Sequence, residues 1–201
     1  MTDAVSRMPA HVVDDGDDSR AVVLVEGVSD QLALEALAGR RGRDLGAERI
    51  SVVPIGGATN IRRFLELFGP SGHNVKLAGL CDAAEERDFR RGLGRAGLGS
   101  NLTRAEMEAL GFFVCVDDLE DELIRSLGTA RVEQLIEAQG ELRAFRTFQK
   151  QAAQQGRTTA AQLRRFMGTR GGRKIQYAPL LVDAVDLRRV PRPLDRVLAH
   201  V

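Results

Sequence analysis

A chain of 201 residues with 43% hydrophobic and 28% charged residues is globular in composition, and a formal charge of +1 excludes the strongly one-signed balance of a disordered chain. Aromatics at 4% and the absence of Trp leave the interior to aliphatic side chains. No run approaches the roughly 18 apolar residues of a membrane span, the N-terminus lacks the order of a signal peptide, and two cysteines, Cys81 and Cys115, make no disulfide framework or zinc cluster; the expectation is a cytoplasmic protein, without a membrane partner, whose thiols are reduced core residues.

The elements follow in order. Residues 1–19, with DDGDD and no sustained period, read as a flexible leader. AVVLVE at 21–26 is a continuous apolar run of strand length. Ser29 can cap a following helix whose Leu32, Ala33, Ala36 and Leu37 share one face, with Gly39 as its stop. ISVVPI at 50–55 is a second strand, followed by a turn at Gly56-Gly57 and a helix from about Asn60 to Phe68. VKLAGLC at 75–81 and FFVCV at 112–116 are the third and fourth. A short helix before the fourth carries the capping box Thr103 to Glu106 and closes at Gly111. From Leu119 onward only helix signals occur: Thr129 and Thr158 as caps, Gly128, Gly140 and Gly168 as stops, and Pro191 and Pro193 breaking the last segment. Strands alternating with helices, each apolar throughout, predict an α/β fold with a mainly parallel four-stranded sheet covered by helices and a helical C-terminal region.

Charge is distributed unevenly. Residues 141–201 hold 13 Lys and Arg against 4 Asp and Glu, a balance of +9, so the other residues hold 16 against 24, a balance of −8. An acidic front that can hold cations and a basic rear that can attract phosphates suit a metal-dependent nucleic-acid enzyme, although a solvated basic helical face gives the same count.

The strand exits sharpen this. The first ends in Glu26, with Asp30 one helical turn on; the third ends in Asp82; the fourth leads into Asp117, Asp118 and Glu120. In a parallel sheet the carboxyl ends of the strands lie along one edge, so these acids converge there, and converging carboxylates repel unless cations neutralise them. Oxygen donors favour Mg²⁺ or Mn²⁺ over zinc. Each acid alone also has an ordinary role at a strand end or in a first helical turn. No GxxxxGK[ST] loop is present, which excludes Walker-type ATP hydrolysis.

VVLVEGVSDQLALEAL, VVPIGGATNIRRFLELF, KLAGLCDAAEE and VCVDDLEDELI, in this order, resemble the TOPRIM domain, and more narrowly the TOPRIM nuclease half of the OLD (overcoming lysogenisation defect) family, over about residues 20–128. GGRKIQYAPLLVDAV is similar to the Lys-containing helix that follows the acidic motifs there. The resemblance implies a TOPRIM domain over 20–128 and a metal-dependent DNA endonuclease using one or two Mg²⁺ or Mn²⁺ ions; the helix signals and basic charge make 129–201 a basic helical C-terminal region. By residue it implies Glu26, Asp30, Asp82, Asp118 and Glu120 as metal ligands, Glu26 and Lys174 as catalytic groups, and Gly27, Gly56 and Gly57 as turns. Where the family's DxD motif has a second aspartate this chain has Ala84, and Glu85 or Glu86 is the substitute ligand to test. Arg164, Arg165, Arg170 and Arg173 are the candidate phosphate clamps. The family's ATPase domain does not precede this segment, so the expectation is a stand-alone version that acts alone, with a separate ATPase, or with a second copy of itself. Two other readings compete: a catalytically degenerate TOPRIM module that binds nucleic acid or a partner, and another TOPRIM phosphotransferase, primase-like or RNA-cleaving.

Overall fold

Residues 19–201 are described by a computed structural model; the segment read as a leader, Ser19 apart, lies outside them. AVVLV at Ala21–Val25 (β1) is buried at every position, because neither face of an interior parallel strand meets water. β2 (Ile50–Pro54) and β3 (Lys76–Cys81) flank it, and β4 (Phe112–Val114) pairs with β3, giving the order β2-β1-β3-β4 with every pairing parallel. The expected four-stranded sheet is present.

This order places a crevice. From β1 the chain crosses to β2 on one side, whereas from β3 it crosses to β4 on the other. The connections leaving adjacent strands β1 and β3 therefore diverge at their carboxyl ends, where open α/β sheets take up ligands.

The two faces of β1 belong to different core clusters. Ala21, Val23 and Val25 pack with α1 (Val28–Arg40), while Val22 and Leu24 pack with α2 (Ile61–Phe68), α3 (Glu86–Arg95) and α4 (Arg104–Ala109). After β4 come α5 (Leu119–Leu127), α6 (Thr129–Ala138), α7 (Leu142–Gln149), α8 (Thr159–Met167), α9 (Arg173–Ala184) and α10 (Arg192–His200). Leu123, Ile136, Phe166 and Leu181 from these helices enter the α1-side cluster, so the basic rear of the chain shares a core with the sheet. α9 packs along α1, and Arg40 at the end of α1 donates to the Val182 and Val185 carbonyls at 2.6 and 2.7 Å.

Several boundaries differ from the sequence reading. α1 is capped by Gly27 rather than Ser29, and it continues through Gly39 to Arg40, which its bonds to α9 hold in place. Thr129 begins α6 rather than capping it. Pro191 and Pro193 open α10 instead of breaking it, since a proline ring supplies the φ of a first turn and has no N–H to leave unpaired. α3 was not anticipated, because two glycines in EERDFRRGLGR weaken the helix signal; Phe89 and Leu93, one turn apart, bury it. The Thr103 to Glu106 capping box and the Thr158 cap both form. Cys81 and Cys115 are buried free thiols.

Candidate metal and phosphate site

Glu26 is the first residue beyond β1, and both neighbouring strand exits hold it. The amides of Gly56 and Gly57 donate to its main-chain oxygen at 3.1 and 3.2 Å. Those glycines lie at φ 71° and 109°, conformations that a side chain would strain, which explains the Gly-Gly pair after β2. On the other side the amide of Asp82, leaving β3, donates to Glu26 Oε1 at 2.8 Å. Asp30 turns back over the first turn of α1 and accepts from the Gly27 amide at 2.9 Å. Asp118 caps α5, its Oδ1 accepting from the Asp121 amide at 2.8 Å. Glu120 follows in the first turn of α5 and is 4% exposed.

Two cations from the helical rear meet these acids. Lys174, at the start of α9, donates from Nζ to Glu120 Oε2 at 2.7 Å. Arg164, on α8, donates from Nε to Asp118 Oδ2 at 2.6 Å, with Asp117 3.8 Å from its Nη1. Two cations against Glu26, Asp30, Asp82, Asp118 and Glu120, with Asp117 at the edge, leave excess negative charge on the β1 and β3 side. Burial, reinforced by the Glu120 carboxylate, pushes Asp30 up to about 7. Burial and then Glu26, Asp30, Asp118 and Glu120 push Asp82 up to about 8. Glu26 is likewise raised, by burial first, against the lowering effect of its bond from Asp82. These mutual effects put Glu26, Asp30, Asp82, Asp118, Glu120 and Lys174 within electrostatic reach of one another.

An all-oxygen donor set carrying unneutralised charge has the chemistry of a site for a hard divalent cation. Among the described residues, however, no three His, Cys, Asp or Glu side chains are grouped as a bound ion would require. Lys174 engages Glu120 Oε2 and Arg164 engages Asp118 Oδ2.

Residues 19–83 match the family model described as "Overcoming lysogenization defect protein-like, TOPRIM domain". The chain carries an OLD-like TOPRIM domain. Its fold is similar to that of the C-terminal region of the Xanthomonas campestris pv. campestris OLD protein, with 25% identity, a TM-score of 0.67, and coverage of 90% of this chain and 94% of that one. The corresponding region of the Burkholderia pseudomallei OLD protein matches with 21% identity, a TM-score of 0.67, and coverage of 90% and 96%. No curated protein sequence matches.

Around these acids the remaining candidates separate. Glu85 lies close enough to Glu26 to raise its carboxyl, whereas Glu86 is held by Arg90 and Arg104. Arg165 is exposed, and Arg170 is 75% exposed with Glu141 3.9 Å away. Arg173 is different: it is buried, with its guanidinium committed inside the protein, so it is not a surface clamp. The buried Glu122 was missed by sequence reasoning; it accepts from the Val116 amide at 2.8 Å and fixes the β4 exit. Glu141, which receives Arg173, was also missed. Tyr177 is fully buried against it, which removes the tyrosine from surface chemistry. No described helix is long and apolar enough to cross a membrane.

Proposed function

We propose that this TOPRIM chain hydrolyses DNA phosphodiester bonds with the help of Mg²⁺ or Mn²⁺. The observation that carries the reading is the meeting of acids from the exits of β1, β3 and β4 with Lys174 of α9 at the topological switch of the sheet. Glu26, Asp82 and Glu120, assisted by Asp30 and Asp118, would hold the ion. A bound divalent cation supplies an acidified water and neutralises charge building on the phosphate. Glu26, with Oε1 fixed by the Asp82 amide, has Oε2 to receive a proton. Lys174, on leaving Glu120, offers a compact charge that follows a phosphate oxygen. The exposed Arg165 and Arg170 suit contacts to neighbouring phosphates, which position DNA without reading its sequence. The relationship to OLD proteins also suggests a separate ATPase, or a second copy of this chain, as partner.

The test is nicking of supercoiled plasmid in Mg²⁺ or Mn²⁺ by wild type, Glu26→Ala and Asp118→Ala, with RNA as a parallel substrate. Loss of nicking in both variants is expected. Equal nicking by all three proteins excludes this site, and RNA cleavage without DNA cleavage reassigns the substrate. A second reading, a non-catalytic nucleic-acid-binding module, draws support from the Lys174–Glu120 and Arg164–Asp118 pairs, which balance part of the acid charge without any ion. DNA binding without nicking by wild type would favour it.

A further inference from the structure

Lys174 must be held in place by something other than the chain that leads to it. Two glycines, Gly171 and Gly172, precede it, and Gly172 caps α9 at φ 82° with no side-chain bond. A helix start of this kind frays, because its first four N–H groups lack intrahelical partners. Lys174 is the second residue of that helix.

The residue before it supplies the missing constraint. Arg173 donates from Nε and Nη2 to the two oxygens of Glu141, at 3.1 and 2.9 Å, in a bidentate pair. Its Nη1 donates to the Phe166 carbonyl at 2.9 Å and to Thr169 Oγ1 at 2.6 Å, and the guanidinium lies 3.9 Å from the centre of the Phe166 ring. Tyr177, one turn further along α9, donates its hydroxyl to Glu141 Oε2 at 3.0 Å. Glu141 begins the turn into α7, and Phe166 and Thr169 lie at the end of α8. The first turn of α9 is thus bolted to α7 and α8, while the adjacent Lys174 reaches to Glu120 on α5.

We infer that the Arg173–Glu141 pair, closed by Tyr177, is a positioning device that aims Lys174 at the acid cluster. The catalytic use of Lys174 rests on the cleavage reading above; the anchoring itself does not. Arg173, buried against Glu141, acts through its neighbour, and so does Glu141.

The chain contains only three lysines, Lys76, Lys150 and Lys174, so amine acylation followed by mass spectrometry reads Lys174 against two internal controls. Arg173→Met, and Glu141→Gln in case the first variant does not fold, are compared with wild type by circular dichroism and by acylation at short times. With the anchor cut, Lys174 should spend less time on Glu120 and acylate about fivefold faster, the scale of a half-exposed ion pair, while Lys76 and Lys150 keep their wild-type rates. Arg173→Lys should fall between. In the nicking assay the same variants should lose kcat with KM unchanged once the rate is normalised to the folded fraction read by circular dichroism, because a smaller folded population alone would lower the uncorrected kcat in the same way. A folded variant with wild-type Lys174 reactivity overturns the inference and leaves the nuclease reading intact. Equal acceleration at all three lysines also overturns it, because that marks loosening of the whole fold. Failure of the nuclease reading appears elsewhere, in plasmid nicking that is indifferent to Glu26→Ala.

Discussion

Asp82→Asn should make the metal-free protein more stable, against the usual trend of substitutions at partly buried sites. Asp82 sits at the exit of β3 among four other carboxyl groups, and its carboxyl is pushed up to about 8 by burial first and those neighbours second. An aspartate in the unfolded chain titrates near 3.9, so the folded state grips the proton more tightly than the unfolded state does. The contribution of Asp82 to stability is then full below about pH 4, falls as the pH rises, and is lost by about pH 8. About four units at 1.36 kcal/mol each set a ceiling of about 5.5 kcal/mol. Partial exposure, and repulsion shared among coupled carboxyls, reduce this to about 1–2 kcal/mol. Asparagine cannot ionise and escapes that loss. Urea unfolding in EDTA at pH 8.5 should show the variant ahead by about that amount, with a much smaller gap at pH 5. Saturating Mg²⁺ should narrow the gap at pH 8.5, because an ion that binds the folded wild type restores what the repulsion removed. A variant no more stable than wild type at pH 8.5 would show that Asp82 is not under a negative potential, and the case for a cation site at the β1–β3 crevice would lose its electrostatic basis.

Other outcomes follow from single contacts. Gly79→Ala places a methyl carbon 2.6 and 2.7 Å from the Phe112 ring and 3.1 Å from the Leu24 carbonyl oxygen, inside the β1-β3-β4 core; denaturant unfolding should show a loss of about 1–3 kcal/mol. Tyr177→Phe removes the hydroxyl that donates to Glu141 and should cost about 1–2 kcal/mol by the same measurement. Lys174→Met should lower the single-turnover nicking rate by about 10²–10³ while leaving Mn²⁺ affinity, read by calorimetry, no weaker than wild type, since it removes a charge that competes for Glu120.

The sheet and the acids were legible because their signals are local. AVVLV reads as a strand buried on both faces from its own five residues, and a carboxylate directly after such a run is noticeable without knowledge of anything distant. Parallel connectivity then sends Glu26, Asp82 and Asp118 to one edge, so the cluster could be assembled from the sequence although its members are far apart. The cations were harder. Arg164, Arg165, Arg170 and Arg173 look alike along the chain, since a guanidinium suits a phosphate and a buried carboxylate equally well. Only the packed structure separates them: Arg173 meets Glu141, 32 positions earlier, Arg164 turns onto Asp118, and Arg165 and Arg170 stay exposed. Glu141 gave no signal of its own, being one acid in a basic stretch at a helix start.

That asymmetry has a physical source, and it bears on how the site is assembled. The acids are set by strand ends, which the sheet fixes cooperatively. Lys174 instead depends on α9 lying along α1, on Arg40 gripping the end of α9, and on Arg173 gripping its start. The acidic half can therefore be complete while the basic half is displaced. A change that loosens α9 should spare the carboxylates yet withdraw the lysine from them, so metal affinity and cleavage rate need not fall together.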